Sequence, residues 1–206
     1  MKSILSLILG LFCAMSFSQE CLDTKFKLRG YFYADTSTID TTSLGGYGGS
    51  NNTPKKITKS VERLARKNAF SIIAVNGSEQ VLQQNTKGFK VFIVNTTDSL
   101  VSVPAQDSRL YVKRQVYYDN KWQDIEYLPS SWCGNSYHNV NLASSYYWEF
   151  IAPCLQGKTE ALFRFELQLN EGKLLYSNTF TGSFNKSQLK KTKEYKSNGI
   201  MDPYDN

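Results

Sequence analysis

Residues 130–140 read SSWCGNSYHNV and place Cys133 five positions before His138, the only histidine in the chain. A thiol beside an imidazole can form a nucleophilic site if the ring lowers the thiol pKa and a third group orients the ring. Cys133 and His138 would then be nucleophile and base of a small exported hydrolase, with Asn135 or Asn139 as orienters. Against this, papain-like enzymes draw the pair from distant parts of the chain. A disulfide in an oxidising compartment would also consume the thiol. Cys133-Gly134-Asn135-Ser136 reads better as a turn in which glycine or asparagine takes a left-handed conformation. No catalytic set is assigned.

Other chemistry has less to stand on. A structural zinc site needs four Cys or His ligands. Asp35, Asp40, Asp202 and Asp205 offer oxygen ligands, but at no EF-hand spacing. The glycine stretch LGGYGGSNN (44–52) lacks the Gly-Lys-Ser/Thr ending of a phosphate loop. No metal, nucleotide or other cofactor is expected.

The N-terminus bears on where the chain works. MKSILSLILGLFCAMSFS (1–18) has the form of a secretory signal peptide: Lys2, an apolar run from Ile4 to Met15, then Ser16 and Ser18 at the −3 and −1 positions. The run is shorter than the roughly 20 residues of a membrane span. Glu20 before Cys21 argues against lipid attachment. A secreted, periplasmic or cell-surface location with no membrane span follows, and loss of Lys2 takes the formal charge from +6 to +5. Cys13 leaves with the signal, so Cys21, Cys133 and Cys154 remain, and two should pair. Cys133 with Cys154 is the expected disulfide, because both lie in the ordered, aromatic part of the chain. Closing that loop of about 20 residues contributes on the order of 3 kcal/mol.

The elements that must position these residues are mostly strands. KFKLRGYFY (25–33) alternates as a half-buried strand, and the polar, glycine-rich stretch 35–56 reads as a long loop. ITKSVERLARKNA (57–69) is the helical candidate, with Ile57, Val61, Leu64 and Ala65 on one face. Strands are expected at 70–75, 89–95 and 99–105. A hairpin is expected from 109–118 and 121–128 through Asp119-Asn120. Further strands fall at 146–152, 159–169 and 173–184. In 159–169, Ala161, Phe163, Phe165, Leu167 and Leu169 face one way, and Arg164, Glu166 and Gln168 the other. The implied organisation is a signal (1–18), an N-terminal strand, loop and helix (19–69), a β-sandwich (70–185) and a mobile basic tail (186–206).

VFIVNTTDSLVSVPAQDSRLYV, WQDIEYLPSSWCGNSY, YYWEFIAP and TEALFRFEL, within Gly88–Phe184, resemble an immunoglobulin- or fibronectin-like β-sandwich of exported bacterial proteins. The resemblance covers about half the chain. It implies a mainly β, antiparallel sandwich, to which the residue patterns of 57–69 and 35–56 add one short helix and a long glycine-rich loop. Trp122 and Trp132 both precede Cys133, unlike the Cys, Trp, Cys order of true immunoglobulin domains, so no functional residue carries over.

Aromatic residues offer the most specific functional signal. Trp122, Trp132, Tyr137, Tyr146 and Trp148 are the candidate binding residues, since exposed rings stack on sugars or anchor protein partners. Period-two geometry puts Tyr146, Trp148 and Phe150 on one sheet face and Tyr147, Glu149 and Ile151 on the other, leaving open which is core. Lys55, Lys56, Lys59, Arg63, Arg66 and Lys67 form a candidate contact for an anionic surface. Asn51, Asn76, Asn95 and Asn185 begin Asn-x-Ser/Thr sequons. The expected function is non-enzymatic: recognition of a protein or glycan, or extracellular assembly, with a carbohydrate-binding module as a further alternative.

Overall fold

A computed structural model describes residues 20–82, 86–129 and 133–190; the expected signal peptide lies outside them. Strand accounts for 52% and helix for 8%, so the fold is mainly β. In chain order the strands are β1 (Leu22–Asp23), β2 (Leu28–Arg29), β3 (Lys55–Lys56), β4 (Phe70–Val81), β5 (Lys87–Asn95) and β6 (Val101–Gln106). Then come β7 (Arg109–Leu110), β8 (Val112–Tyr118), β9 (Lys121–Asp124), β10 (Glu126–Tyr127) and β11 (Tyr137–Leu142). The last are β12 (Tyr146–Pro153), β13 (Leu155–Gln156), β14 (Thr159–Gln168), β15 (Leu174–Tyr176) and β16 (Phe180–Phe184). One helical turn, α1 (Lys59–Glu62), lies between β3 and β4.

Three antiparallel sheets carry the architecture. The first runs β3-β12-β5-β4, and the second β15-β14-β8-β9, with β16 also on β14. A smaller sheet runs β11-β6-β7. Alternation explains the core. Trp148, Phe150 and Ala152 of β12 and Phe89, Val91 and Ile93 of β5 join Phe163, Phe165 and Leu167 of β14 in one buried cluster. Phe32 and Ala34, from the segment before the glycine-rich stretch, belong to the same cluster. Phe32 lies 5.0 Å from the Phe150 ring and 5.3 Å from the Phe165 ring. The Trp148 Nε1–H donates to the Asp35 carbonyl at 2.8 Å, so the buried indole leaves no orphan donor.

The other face of the first sheet is covered too. Phe92, Val94 and Tyr147 form a second cluster under Val61 of α1, with Ile57 and Ala65 beside it. Thr58 caps the turn by accepting from the Val61 N–H. The helix expected over 57–69 is thus one turn, and Leu64, expected on its apolar face, is 46% exposed. The strand expected over 25–33 is likewise short, and Phe26 points to solvent. The 109–128 hairpin forms as read: Asp119 and Asn120 take φ 55° and 58°, which suits a two-residue turn between β8 and β9. Lys186–Leu189, assigned to the tail by composition, form a 3₁₀ turn with Gln188 buried. Residues 191–206 of that tail lie outside the described residues.

β8 places a charge in this core. Val112, Arg114 and Val116 point inward, and Arg114 is 1% exposed. Its guanidinium carbon lies 5.1 Å from the Phe165 ring centroid and 5.6 Å from that of Phe89. Nη2 donates to the Tyr31 hydroxyl at 2.7 Å and Nη1 to the Pro153 carbonyl at 2.9 Å. Glu126 supplies the countercharge, with Oε1 at 3.3 Å from Nε and Oε2 accepting the Arg114 backbone N–H at 2.8 Å. Tyr31 also donates to Glu126 at 2.9 Å. Burial raises the pKa of Glu126 against the opposing pull of Arg114.

The disulfide joins Cys21 to Cys154, not Cys133 to Cys154. The reason is strand pairing at the N-terminus. β1 runs parallel to β13, with the Leu22 N–H donating to the Cys154 carbonyl at 2.8 Å, which brings Cys21 alongside. Cys133 is exposed and outside the disulfide, at the start of the 3₁₀ turn Gly134–Ser136. That turn forms without a left-handed residue.

Two stability measurements follow. The bridge spans 133 positions, and closing so long a loop is worth about 5 kcal/mol in the chain-entropy model. Cys21→Ala should therefore lower the denaturation midpoint strongly, and Cys133→Ser should change stability by no more than about 0.5 kcal/mol. The reverse order would contradict the pairing. Glu126→Ala strands a buried guanidinium and should cost about 3–5 kcal/mol in urea unfolding; a loss under about 1 kcal/mol would show that the pair is not buried as described.

Candidate recognition surface

The outward residues of β9, β8, β14 and β15 form the most distinctive exposed surface. Tyr117 and Trp122 are cross-strand partners on β8 and β9, with ring centroids 5.3 Å apart. Arg164 reaches over from β14, its guanidinium carbon 4.2 Å from the Trp122 centroid and 3.7 Å from that of Tyr176 on β15. The result is a ridge of Tyr117, Trp122, Arg164 and Tyr176 across the sheet. Each cation–π contact at a partly exposed site contributes about 0.5–1 kcal/mol.

A polar layer holds the arginine in place. Arg164 Nε donates to Gln115 Oε1 at 2.8 Å. The Gln115 amide in turn donates to Asp124 at 2.9 Å and to Glu166 at 3.0 Å, which fixes its orientation. Lys113 lies 2.6 Å from Asp124 and 3.4 Å from Glu166. Burial by itself would lower the Lys113 pKa, but Asp124 and Glu166 raise it overall. Lys113 and Arg164 together balance the charges of Asp124 and Glu166, and Arg164 is the one of the two cations that lies against the rings.

This face also holds exposed apolar surface. Tyr117 (41%), Leu162 (45%), Leu174 (47%) and Tyr176 (40%) all lie on it. They are four of the eleven large hydrophobic residues exposed among the described residues.

The sequence candidates are dispersed. Trp122 lies on the ridge. Trp148 is fully buried in the core and Tyr146 is half-buried against it, so neither forms an open binding face with Trp122. Tyr137 is half-buried on β11. Trp132 lies outside the described residues. Lys55, Lys56, Lys59, Arg63, Arg66 and Lys67 are all exposed around α1, with Lys55 3.7 Å from Glu149. Sequence reasoning missed Arg164, Gln115 and Tyr176. Arg164 was visible on the polar side of the alternating strand 159–169, but the diagonal reach across β8 has no local signal.

His138 is at a different place and in a different role. The segment 36–48 straps the free edge of β11. Ser37 N–H donates to the Asn141 carbonyl at 2.7 Å, and the Asn139 N–H to Asp40 at 2.8 Å. The Gly48 N–H donates to Asp107 at 2.9 Å, and Ser108 Oγ to the Gly48 carbonyl at 2.8 Å. Between these anchors the Tyr47 ring stacks on His138, with centroids 3.6 Å apart and the ring planes nearly parallel at 7°. His138 Nδ1 faces the Ser136 carbonyl at 3.3 Å, and Nε2 is buried without a hydrogen-bond partner among the described residues. Burial lowers the His138 pKa, against the opposing influence of the Ser136 carbonyl, Asp107 and Asp40. The ring is structural cement for the strap, covered by Tyr47, while Cys133 is exposed.

Among the described residues no group of three or more His, Cys, Asp or Glu side chains gathers as a metal site, and no helix is long and apolar enough to cross a membrane. No family model, curated protein or solved structure matches the chain.

The strap should be acid-sensitive in two steps. His138 is lowered in the folded chain, so its contribution is present above its ordinary value of 6.5 and is lost as pH falls below it. Asp40 is held down to about 2, chiefly by the Thr42 hydroxyl, so its contribution is complete above 3.8 and is lost as pH falls toward about 2. Amide exchange at Gly48 and Asn139, corrected for intrinsic rates, should show protection falling in both windows. Asp40→Asn should abolish the lower step and keep the upper. Protection independent of pH would contradict this assignment.

Proposed function

We propose that the chain is an exported, non-enzymatic β-sandwich of immunoglobulin-like type that recognises a protein or glycan through the outward face of β9, β8, β14 and β15. The observation that carries this reading is the Trp122–Arg164–Tyr176 stack. Trp, Tyr and Arg are the residue types that dominate binding energy at protein interfaces, and here they are held rigid before any partner arrives. Export is supported by the N-terminal segment 1–18 and by the disulfide, which suits an oxidising compartment.

Between the two partner classes, a protein is favoured. A sugar-stacking platform presents an open ring face. One face of Trp122 and one of Tyr176 are instead taken by the guanidinium, which leaves a ridge with adjoining apolar surface at Leu162 and Leu174.

The test is site-specific photo-cross-linking in the exported protein, with the photoreactive residue at Leu162 and a control at Leu100, which is also exposed. A discrete adduct is expected at Leu162 and not at Leu100. Trp122→Ala or Arg164→Ala should reduce it by about tenfold, equivalent to 1.4 kcal/mol. A glycan array covers the alternative: binding abolished by Trp122→Ala, with no protein adduct, would move the reading to a carbohydrate module. Equal adducts at both positions, together with an empty array, would overturn recognition by this face.

A further inference from the structure

We infer that the cleft between the edge strands β4 and β15 binds an extended peptide segment of a partner protein by strand addition. The inference rests on the recognition reading but on a different surface, sharing Tyr176 alone with the ridge.

The cleft follows from how the two main sheets part. β4 is an edge strand, bonded to β5 on one side only. The Asn178 side chain closes its other side at one point, accepting the Ala74 N–H at 2.9 Å and donating to the Ala74 carbonyl at 2.9 Å. An amide side chain here does what a neighbouring strand would do. Because Ala74 turns both its backbone groups away from β5, alternation in an antiparallel ladder turns those of Ile72 and Phe70 the same way. Their N–H and C=O groups therefore point into the cleft, and no strand pairs with them there among the described residues.

β15 mirrors this arrangement. The Ser177 N–H bonds the Phe165 carbonyl on β14 at 2.9 Å, so Leu174 and Tyr176 direct their backbone groups to the other side. The space between is about 270 Å³ and is lined by Leu64, Arg66, Phe70, Ile72, Leu175 and Tyr176, among others. This is room for a few residues of extended chain, smaller than the usual pocket for a compact ligand. Ser71, also on its lining, has a buried Oγ without a hydrogen-bond partner among the described residues.

Charge selects the occupant. Arg66 lines the cleft, with Arg63 and Lys67 exposed nearby in sequence and Glu62 the one acid among them. An extended segment with alternating small apolar side chains and an acidic end meets the backbone edge, the apolar lining and the cations together. Main-chain pairing would supply affinity, and the side-chain pockets and Arg66 would supply selectivity.

The probe is a synthetic seven-residue peptide of alternating threonine and valine ending in two aspartates. Bound to the intact exported chain, it should protect the Phe70 and Ile72 amides from exchange by about tenfold or more. Methylating alternate peptide nitrogens should weaken binding by about tenfold, because strand addition needs those donors. R66E should weaken it about fivefold or more and favour the same peptide ending in two lysines. Trp122→Ala should leave peptide binding unchanged, since it removes the ridge and not the cleft. Protection of neither amide at millimolar peptide would overturn the inference, as would equal binding of the methylated peptide. Concentration-dependent self-association that protects the same amides without peptide would overturn it in favour of a second copy. Loss of the cleft result with Leu162 cross-linking intact removes this inference alone, and the converse removes only the ridge.

Discussion

A guanidinium enclosed between aromatic rings is the constraint around which the rest is organised. Arg114 sits against Phe89 of the first sheet and Phe165 of the second, where an unpaired charge would cost several kcal/mol. It is tolerated because three other parts of the chain converge on it. Glu126 brings the countercharge, Tyr31 bridges the two, and the Pro153 carbonyl takes a further donor. Each partner comes from a different segment, so the contacts of this one side chain tie the N-terminal segment, β10 and the end of β12 to β8. The Cys21–Cys154 bridge lies next to that last contact, since Cys154 follows Pro153 directly.

The same strand turns this internal order outward. β8 alternates Val112, Arg114 and Val116 toward the core with Lys113, Gln115 and Tyr117 on the opposite face, where Gln115 is itself buried among its polar partners. Gln115, one residue from the buried arginine, is the group that orients Arg164 between Trp122 and Tyr176. A ridge built on a strand whose other face is locked loses little conformational entropy when a partner docks. The aromatic residues that could have made a broader surface are spent on packing, Trp148 in the core and Tyr147 beneath α1.

Much of the framework was legible from period-two alternation. β5, β8, β12 and β14 appear within a few residues of their expected positions, and the Asp119-Asn120 turn joins its hairpin as read. An arginine between Val112 and Val116 on an apolar face was also there to be seen. What local pattern could not carry is long-range. Cys21 meets Cys154 because β1 lies along β13, a long-range parallel pairing that leaves no mark on either two-residue strand. The glycine-rich stretch reads as a loop because its residues are polar, yet Ser37, Asp40, Tyr47 and Gly48 are bound one by one to β11 and to Asp107 and Ser108. Cys133 and His138 are near neighbours in sequence, yet the imidazole is buried beneath Tyr47 while Cys133 is exposed, a difference in surroundings that sequence spacing does not reveal.

The claim that the outward face of β8, β9, β14 and β15 is where this protein meets its partner can be tested without knowing that partner. Hydroxyl-radical footprinting would compare the labelling of Tyr117, Trp122 and Tyr176 in buffer and in concentrated extracytoplasmic extract, with exposed Tyr33 as internal reference. The expected result is protection of the three ridge residues while Tyr33 stays unchanged. Equal labelling of all four in both conditions would contradict the account.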